Sequence, residues 1–176
     1  MNPKVQTLIR HGIKFEPVAR EKYLNAMRNE YHRNVTYRDC GFIIQPALPW
    51  LGGSPDGVIV DHAVSGCGPI LLEIKCPQTK WELSPMELFK DESFYLGCQN
   101  GQPYLKKNHA RGYYTQIQMC MGLAKAEFCD FIVYTKHGLV ITRVQYDNTY
   151  FEHLISKLNY FFKTYILSYV ASEQSS

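Results

Sequence analysis

The 176-residue sequence predicts an α/β fold in which a central mixed β-sheet is flanked by helices. Three observations predict it. Short β-rich runs framed by glycine and proline recur at 40–46, 54–61, 69–76, 127–135 and 138–146. Apolar residues at helical spacing occupy both ends of the chain, Ala19, Tyr23, Ala26 and Tyr31 near the start and Phe151 to Tyr165 near the finish. A third helical pattern, with its apolar stripe between Ala110 and Ala124, lies between the third and fourth strands.

Taken in order, residues 3–31 read as helical. Pro17 lacks the N–H that a helix interior needs, so a break is expected near Phe15 and Glu16, leaving Glu16 at a helix entry. The chain turns β-like from Arg33 to Ile44, with residues 41–44 read as the first strand, and Pro46, Pro49 and Gly52-Gly53 break up the segment beyond it. Ser54-Pro55-Asp56-Gly57 opens the next strand, and a polar connection leads to Leu71-Leu72-Glu73-Ile74-Lys75. Ser84-Pro85-Met86-Glu87 is a capping box with proline at the first helical position, so a short helix starts at Pro85. Residues 91–103 read as loop. The basic run 106–111 leads into a helix whose stripe is Ala110, Tyr113, Ile117, Cys120 or Met121, and Ala124. Two strands joined by Lys136-His137-Gly138 precede a last helix over 148–169, with Phe151, Leu154, Ile155, Leu158, Phe161, Phe162 and Tyr165 as a core face. From 170 onward the tail reads as frayed. The whole chain, 1–176, reads as one domain.

Composition narrows the function class. Hydrophobic residues make up 45% of the chain, with 13 Tyr and 9 Phe, which excludes a disordered polymer. Net charge is only +3, so any nucleic-acid surface must come from local clustering. No apolar run is long enough to cross a membrane and no secretory leader is visible. Six cysteines without a scaffold pattern read as reduced thiols, so the expectation is an intracellular protein that is not secreted. No phosphate loop for ATP is present. The cysteines lack paired spacing for zinc, and Cys76, Cys98, Cys120 and Cys129 lack the close triplet that an iron–sulfur cluster needs.

The chemistry concentrates at Asp56, Glu73 and Lys75. Alternation along the second strand puts Glu73 and Lys75 on one face, with Leu72 and Ile74 on the other. Two hard carboxylates suit Mg²⁺ or Mn²⁺, and a lysine beside them can orient water or offset charge on a phosphate. An idle edge-strand Glu/Lys pair would have the same spacing. Lys80 and Trp81 come just after the strand and offer a cation and a stacking surface, or a packed ring beside a solvated amine. Lys106, Lys107 and Arg111 form the densest basic cluster and would approach phosphates, or else form a solvated helix start. Gln116 and Gln118 lie roughly 200° apart on a helix, so they need not share a role.

These motifs resemble, in order, the signature of the lambda exonuclease and YqaJ-type viral recombinase family of PD-(D/E)xK nucleases. Gly12-x-x-x-Glu16-x-x-Ala19-Arg20, Ser54-Pro55-Asp56-Gly57, Glu73-Ile74-Lys75-Cys76-Pro77 and Tyr113-Tyr114-Thr115-Gln116-Ile117-Gln118 carry the resemblance. It implies a restriction-endonuclease-like core and a metal-dependent deoxyribonuclease, a 5′-to-3′ exonuclease on duplex DNA ends serving viral or mobile-element recombination. By the same resemblance Asp56, Glu73 and the Ile74 backbone carbonyl hold one Mg²⁺, with Mn²⁺ as substitute, and Asp56 with Glu16 a second. Lys75 activates water and Gln116 supports Lys75 or that water. Ser54, Lys80, Trp81, Lys106, Lys107, Arg111 and Tyr113 are the expected DNA contacts. The implied partners are DNA with a free end, a single-strand annealing protein, and further copies of the chain in a trimeric ring. Competing readings on the same fold are an inactive DNA-binding scaffold and an endonuclease acting on DNA or RNA.

Overall fold

The structure, a computed structural model, describes residues 3–62 and 68–173. Helix α1 (Pro3–Asn29) is followed by strands β1 (Val35–Arg38), β2 (Ile43–Ile44), β3 (Gly52–Gly53), β4 (Gly57–Asp61) and β5 (Ile70–Lys75). A 3₁₀ turn (Gln78–Lys80), helix α2 (Pro85–Lys90), strands β6 (Leu96–Gln99) and β7 (Gln102–Leu105), and helix α3 (Tyr113–Ala124) come next. Strands β8 (Phe128–Thr135) and β9 (Gly138–Gln145) lead to helix α4 (Asn148–Phe161), a π-helical stretch (Phe162–Leu167) and helix α5 (Ser168–Glu173). Most of the connection between β4 and β5 lies at 63–67, outside the described residues, as do 174–176 of the tail.

The main sheet has five strands in the order β1-β4-β5-β8-β9. Its outer pairs are antiparallel, while β5 and β8 run parallel with Glu73 opposite Phe131. α3 lies within the long crossover that this parallel pair requires. Central position explains the sequence of β5: it is buried on both faces from Ile70 to Ile74. Its even residues, Ile70, Leu72 and Ile74, pack with Ala19, Tyr23, Leu24 and Met27 of α1. Leu71 packs on the opposite side with Ile117 and Met121 of α3, Phe131 and Val133.

Several expectations are corrected. α1 runs unbroken through Pro17 because that residue is exposed, so the hydrogen bond it forfeits lies on the solvent side. Glu16 is therefore mid-helix, and Tyr31 lies beyond the helix and is exposed. The first strand of the main sheet is Val35–Arg38, paired with β4, whereas Ile43–Ile44 forms a separate ribbon with Gly52–Gly53. Residues 91–103 are not all loop: Leu96–Gln99 and Gln102–Leu105 form a hairpin. Its turn is Asn100-Gly101, both at positive φ (52° and 76°), the conformation that Asn-Gly adopts most cheaply. Ala110 is exposed ahead of α3, whose buried side carries Tyr114 and Leu123 instead. The expected core face of the last helix is buried at Phe151 and half-buried at Leu154, Ile155, Leu158 and Phe162; Phe161 and Tyr165 are exposed, and 170–173 continue in helix rather than fray.

The Ser84 cap behaves as expected. Glu87 N–H donates to its hydroxyl (3.4 Å) and the Ser84 N–H to the Glu87 carboxylate (2.7 Å). A buried polar knot anchors α1 to the sheet: the Tyr23 hydroxyl donates to Asp130 (2.6 Å), which also receives Arg143 Nε (2.8 Å). Asp130 is fully buried and is supported only because these partners are present. No helix among the described residues is long and apolar enough to cross a membrane.

Candidate active site

Pro55 has no N–H, so the β4–β5 ladder ends at Asp56, whose N–H donates to Leu72 O (3.0 Å). The Asp56 side chain then takes the place of the next backbone acceptor, receiving Ile74 N–H on Oδ2 (2.7 Å). This single substitution of carboxylate for carbonyl sets Asp56 beside the end of β5. Glu73 points to the α3 side of the same strand and is 1% exposed. Its Oε1 receives both Lys75 Nζ and Gln116 Nε2, the latter at 2.7 Å. One oxygen of each carboxylate is thus committed to protein donors, and the other is the one a cation would take.

Electrostatics follow from that crowding. Burial holds Glu73 above the ordinary carboxylate range, against the pull of the Lys75 ammonium. For Lys75, burial works downward, but the Glu73 and Asp56 carboxylates outweigh it and raise its pKa. The Tyr113 ring covers the ammonium, 5.1 Å from centroid to Nζ. Glu16 lies across the same cleft, of about 460 Å³, with Gly12, Asp56, Ile74, Lys75 and Tyr113. Burial and the neighbouring Asp56 raise its pKa, and Arg20 and Lys75 offset part of the rise. The spacing Leu8, Gly12, Glu16 explains how a mid-helix glutamate reaches the cleft, since all three share one face of α1. The Cys76 thiol lines this cleft too, but burial and the acidic neighbours push it up to about 12, so it is no nucleophile at neutral pH.

A support behind Asp56 has no signal in local sequence. Gly57 admits the Tyr37 ring, because a Cβ there would sit 2.2 Å from it. The Tyr37 hydroxyl lies 2.9 Å from the Asp56 carbonyl and 2.8 Å from Asp39 Oδ1, and it accepts from Arg20 (2.9 Å). Arg20 also stacks on the Tyr37 ring at 4.4 Å. So Ala19-Arg20 serves two ends: the alanine is fully buried against the sheet, and the arginine braces the loop that carries Asp56.

The structure therefore brings Glu16, Asp56, Glu73, Lys75, Tyr113 and Gln116 together. Gln116 bonds Glu73 on the same oxygen that receives Lys75. Gln118 is buried elsewhere, bonded to Gln145 O (2.9 Å) and Asp147 N–H (2.8 Å), and ties α3 to the end of β9. Ser54 is exposed and does not line the cleft. Trp81 is half-buried, with its ring against Phe15 (4.2 Å) and His11 (4.7 Å). Lys80 pairs with Asp91 at 2.7 Å. Lys106 donates to Glu92 O (2.7 Å), and Lys107 bonds Asp147 (3.0 Å) in a different cavity, so neither reaches the cleft. Among the described residues no three His, Cys, Asp or Glu side chains converge as a closed metal cage. Asp56, Glu73 and the Ile74 carbonyl are hard oxygen groups of the kind that Mg²⁺ would take together with waters and substrate oxygens.

Residues 2–127 match the model of the YqaJ-like viral recombinase domain. Among solved structures the chain is similar to LHK-Exo in complex with dAMP, with a TM-score of 0.65 and 23% identity over 96% of this chain and 74% of that one. It is also similar to an alkaline exonuclease (LHK-Exo) from Laribacter hongkongensis, with a TM-score of 0.56 and 22% identity over 99% of this chain and 77% of that one. No curated protein matches the sequence significantly. At these identities the structural likeness is one of fold, and it is the fold that the sequence predicts.

Proposed function

The chain belongs to the family of YqaJ-like viral recombinase domains, and from that premise we propose that it is a divalent-metal-dependent nuclease hydrolysing DNA phosphodiester bonds. Its finer form is a 5′-to-3′ exonuclease on duplex ends. One observation supports it above the others: at the end of one buried strand Asp56 and Lys75 line a cleft, and directly behind them Glu73 receives both Lys75 and Gln116. An idle surface pair would not have its glutamate 1% exposed and doubly hydrogen-bonded. The named solved structures, both exonucleases by description, point the same way.

Asp56, Glu73 and the Ile74 carbonyl would hold Mg²⁺ or Mn²⁺, with Glu16 and Asp56 available to a second ion. Bound there, such an ion supplies Lewis acidity and lowers the pKa of water. Gln116 and the Lys75 ammonium keep Glu73 Oε1 occupied, so that carboxylate presents its other oxygen in one orientation. Lys75, held between Glu73 and the Tyr113 ring, donates to the attacking water or to a phosphate oxygen and offsets the charge that develops on it. Arg20 and Tyr37 fix the loop of Asp56 so that neither carboxylate needs to reorganise.

The test is incubation with Mg²⁺ and linear, circular, 5′-phosphorylated and 5′-hydroxyl DNA, with RNA in parallel and EDTA as control. Loss of linear DNA with circular DNA spared is the expected result. Cutting of circles makes the protein an endonuclease, and intact DNA in every arm rejects the enzyme reading.

A further inference from the structure

We propose that the aromatic side of the C-terminal helix docks against the same side of a second copy of this chain, in an antiparallel pair about a two-fold axis at Tyr165. From Leu158 to Ser172 the sequence carries one charge, Lys163. Phe162, whose ring stacks on Trp50, is the last half-buried residue of that stretch. Every residue from 163 to 172 is exposed. A helix this apolar is ordinarily covered, and within one copy of the chain this part of it is not.

The exposed rings form one surface. Tyr165 lies 5.3 Å from Phe161 and 6.4 Å from Tyr160 between ring centroids. The π-helical winding over Phe162–Leu167 widens the turn, so that residues five apart meet on one side. Tyr169, four residues on, continues that side. These four residues are 52–65% exposed, which at about 150–250 Å² per aromatic side chain leaves on the order of 500 Å² in water. Two copies together would bury roughly 1,000 Å², the area that a specific interface has to reach. Tyrosine and phenylalanine are also the residues that interface centres favour.

The flanking charges favour a second copy as the occupant. Lys157 precedes the stretch and Glu173 follows it. In an antiparallel pair centred on Tyr165, position 157 of one copy lies level with position 173 of the other, so opposite charges meet at both ends. A parallel pair would set like charges level instead. The antiparallel register also brings Phe161 level with the partner's Tyr169, and Tyr165 against its own counterpart. Lys163 falls level with Leu167, where its stem covers apolar surface and its ammonium reaches water. A membrane is the poorer occupant. The stretch is shorter than the roughly 20 residues that a crossing needs, and one lysine does not make the basic face of an interfacial helix. None of these residues lines the catalytic cleft, so the inference stands apart from the nuclease reading.

The test is the mass of the full chain in solution, without DNA, by light scattering across the micromolar range. The native particle should weigh twice what Tyr165→Lys weighs, because that substitution opposes two ammonium groups on the axis. An unchanged sheet signal in circular dichroism shows that the variant is folded. Lys157→Glu should weaken the pair by roughly tenfold, since two attractive contacts become repulsive. Adding Glu173→Lys to it should restore the native affinity, which a merely structural role for Lys157 would not give. A native chain that stays monomeric at the highest concentration overturns the proposal. If that monomer floats with phosphatidylserine vesicles, the face belongs to a membrane instead. A mass that Tyr165→Lys leaves unchanged also overturns it, because the copies then meet elsewhere. Dissociation by Tyr165→Lys without rescue by the charge exchange overturns the antiparallel arrangement.

Discussion

The end of β5 and the basic run 106–111 both concentrate charge, and the fold treats them oppositely. At β5 the charges are few, buried at Glu73 and half-buried at Asp56 and Lys75, and each carboxylate is fixed by named donors: Ile74 N–H on Asp56, Lys75 and Gln116 on Glu73. In the basic run the charges are dense in sequence and spread in space. Lys106 is spent on the Glu92 carbonyl and Lys107 on Asp147, and only Arg111 faces a cavity that joins the cleft. Charge density along a chain is therefore a poor guide to where a polyanion will be gripped. Burial with satisfied hydrogen bonds is the better one, because few folds carry that cost without a return.

The sharpest way to break the comparison is Asp56→Asn. It keeps an acceptor for Ile74 N–H and removes the charge, so cleavage should vanish while the thermal midpoint holds; retained cleavage at saturating Mg²⁺ would sink the assignment. Glu73→Ala should be equally inactive but less stable, because it strands a half-buried Lys75 without its partner. Next in size is Lys75→Ala, which should lower turnover on the order of 10²-fold with DNA affinity unchanged. A loss confined to affinity would make Lys75 a phosphate contact only. Tyr37→Phe tests the brace behind Asp56: about a tenfold fall in turnover, a scale of one hydrogen bond to an aligned group, with no shift in DNA binding. The smallest effect concerns salt. Read from sequence, neutralising Lys106 and Lys107 would flatten the logarithmic salt dependence of binding by roughly 1–2 units. Given their partners, the expected change is near zero for that pair and about one unit for Arg111→Gln. The reverse order would mean that DNA reaches the Lys107 cavity instead.

Much of the central sheet was legible because its signals are local. Alternation at 71–75 separates Glu73 and Lys75 from Leu72 and Ile74, and the structure keeps that division across the two cores. The Ser84 cap and the turn at Lys136-His137 read correctly for the same reason. Asn100-Gly101 was an equally local signal, and two short flanking strands of mixed polarity concealed it. Other features depend on distant partners. Nothing near Pro17 announces that its face is solvent, and nothing near Tyr37 announces Asp56 or Gly57. Helical spacing at 151–165 shows an amphipathic face without showing what covers it. Phe162 finds Trp50, at 5.1 Å between ring centroids, whereas Phe161 meets the exposed ring of Tyr165 (5.3 Å) and stays 52% exposed.

The parallel seam between β5 and β8 has a consequence for the life of the chain. β4 and β5 can pair early, and so can β8 and β9, since each pair is antiparallel and close in sequence. The seam must wait until everything from Cys76 to Glu127 has been synthesised and folded back, which makes it a late, high-contact-order event. Until then Glu73 lacks Gln116 and the cover of Phe131, and its carboxylate is an ordinary solvated one. A nascent chain would accordingly pass through the ribosome's nucleic-acid-rich surroundings with its chemistry switched off, and the switch would be thrown by the last docking of the sheet. Refolding followed by both DNA cleavage and fluorescence should show activity returning only with the slowest phase.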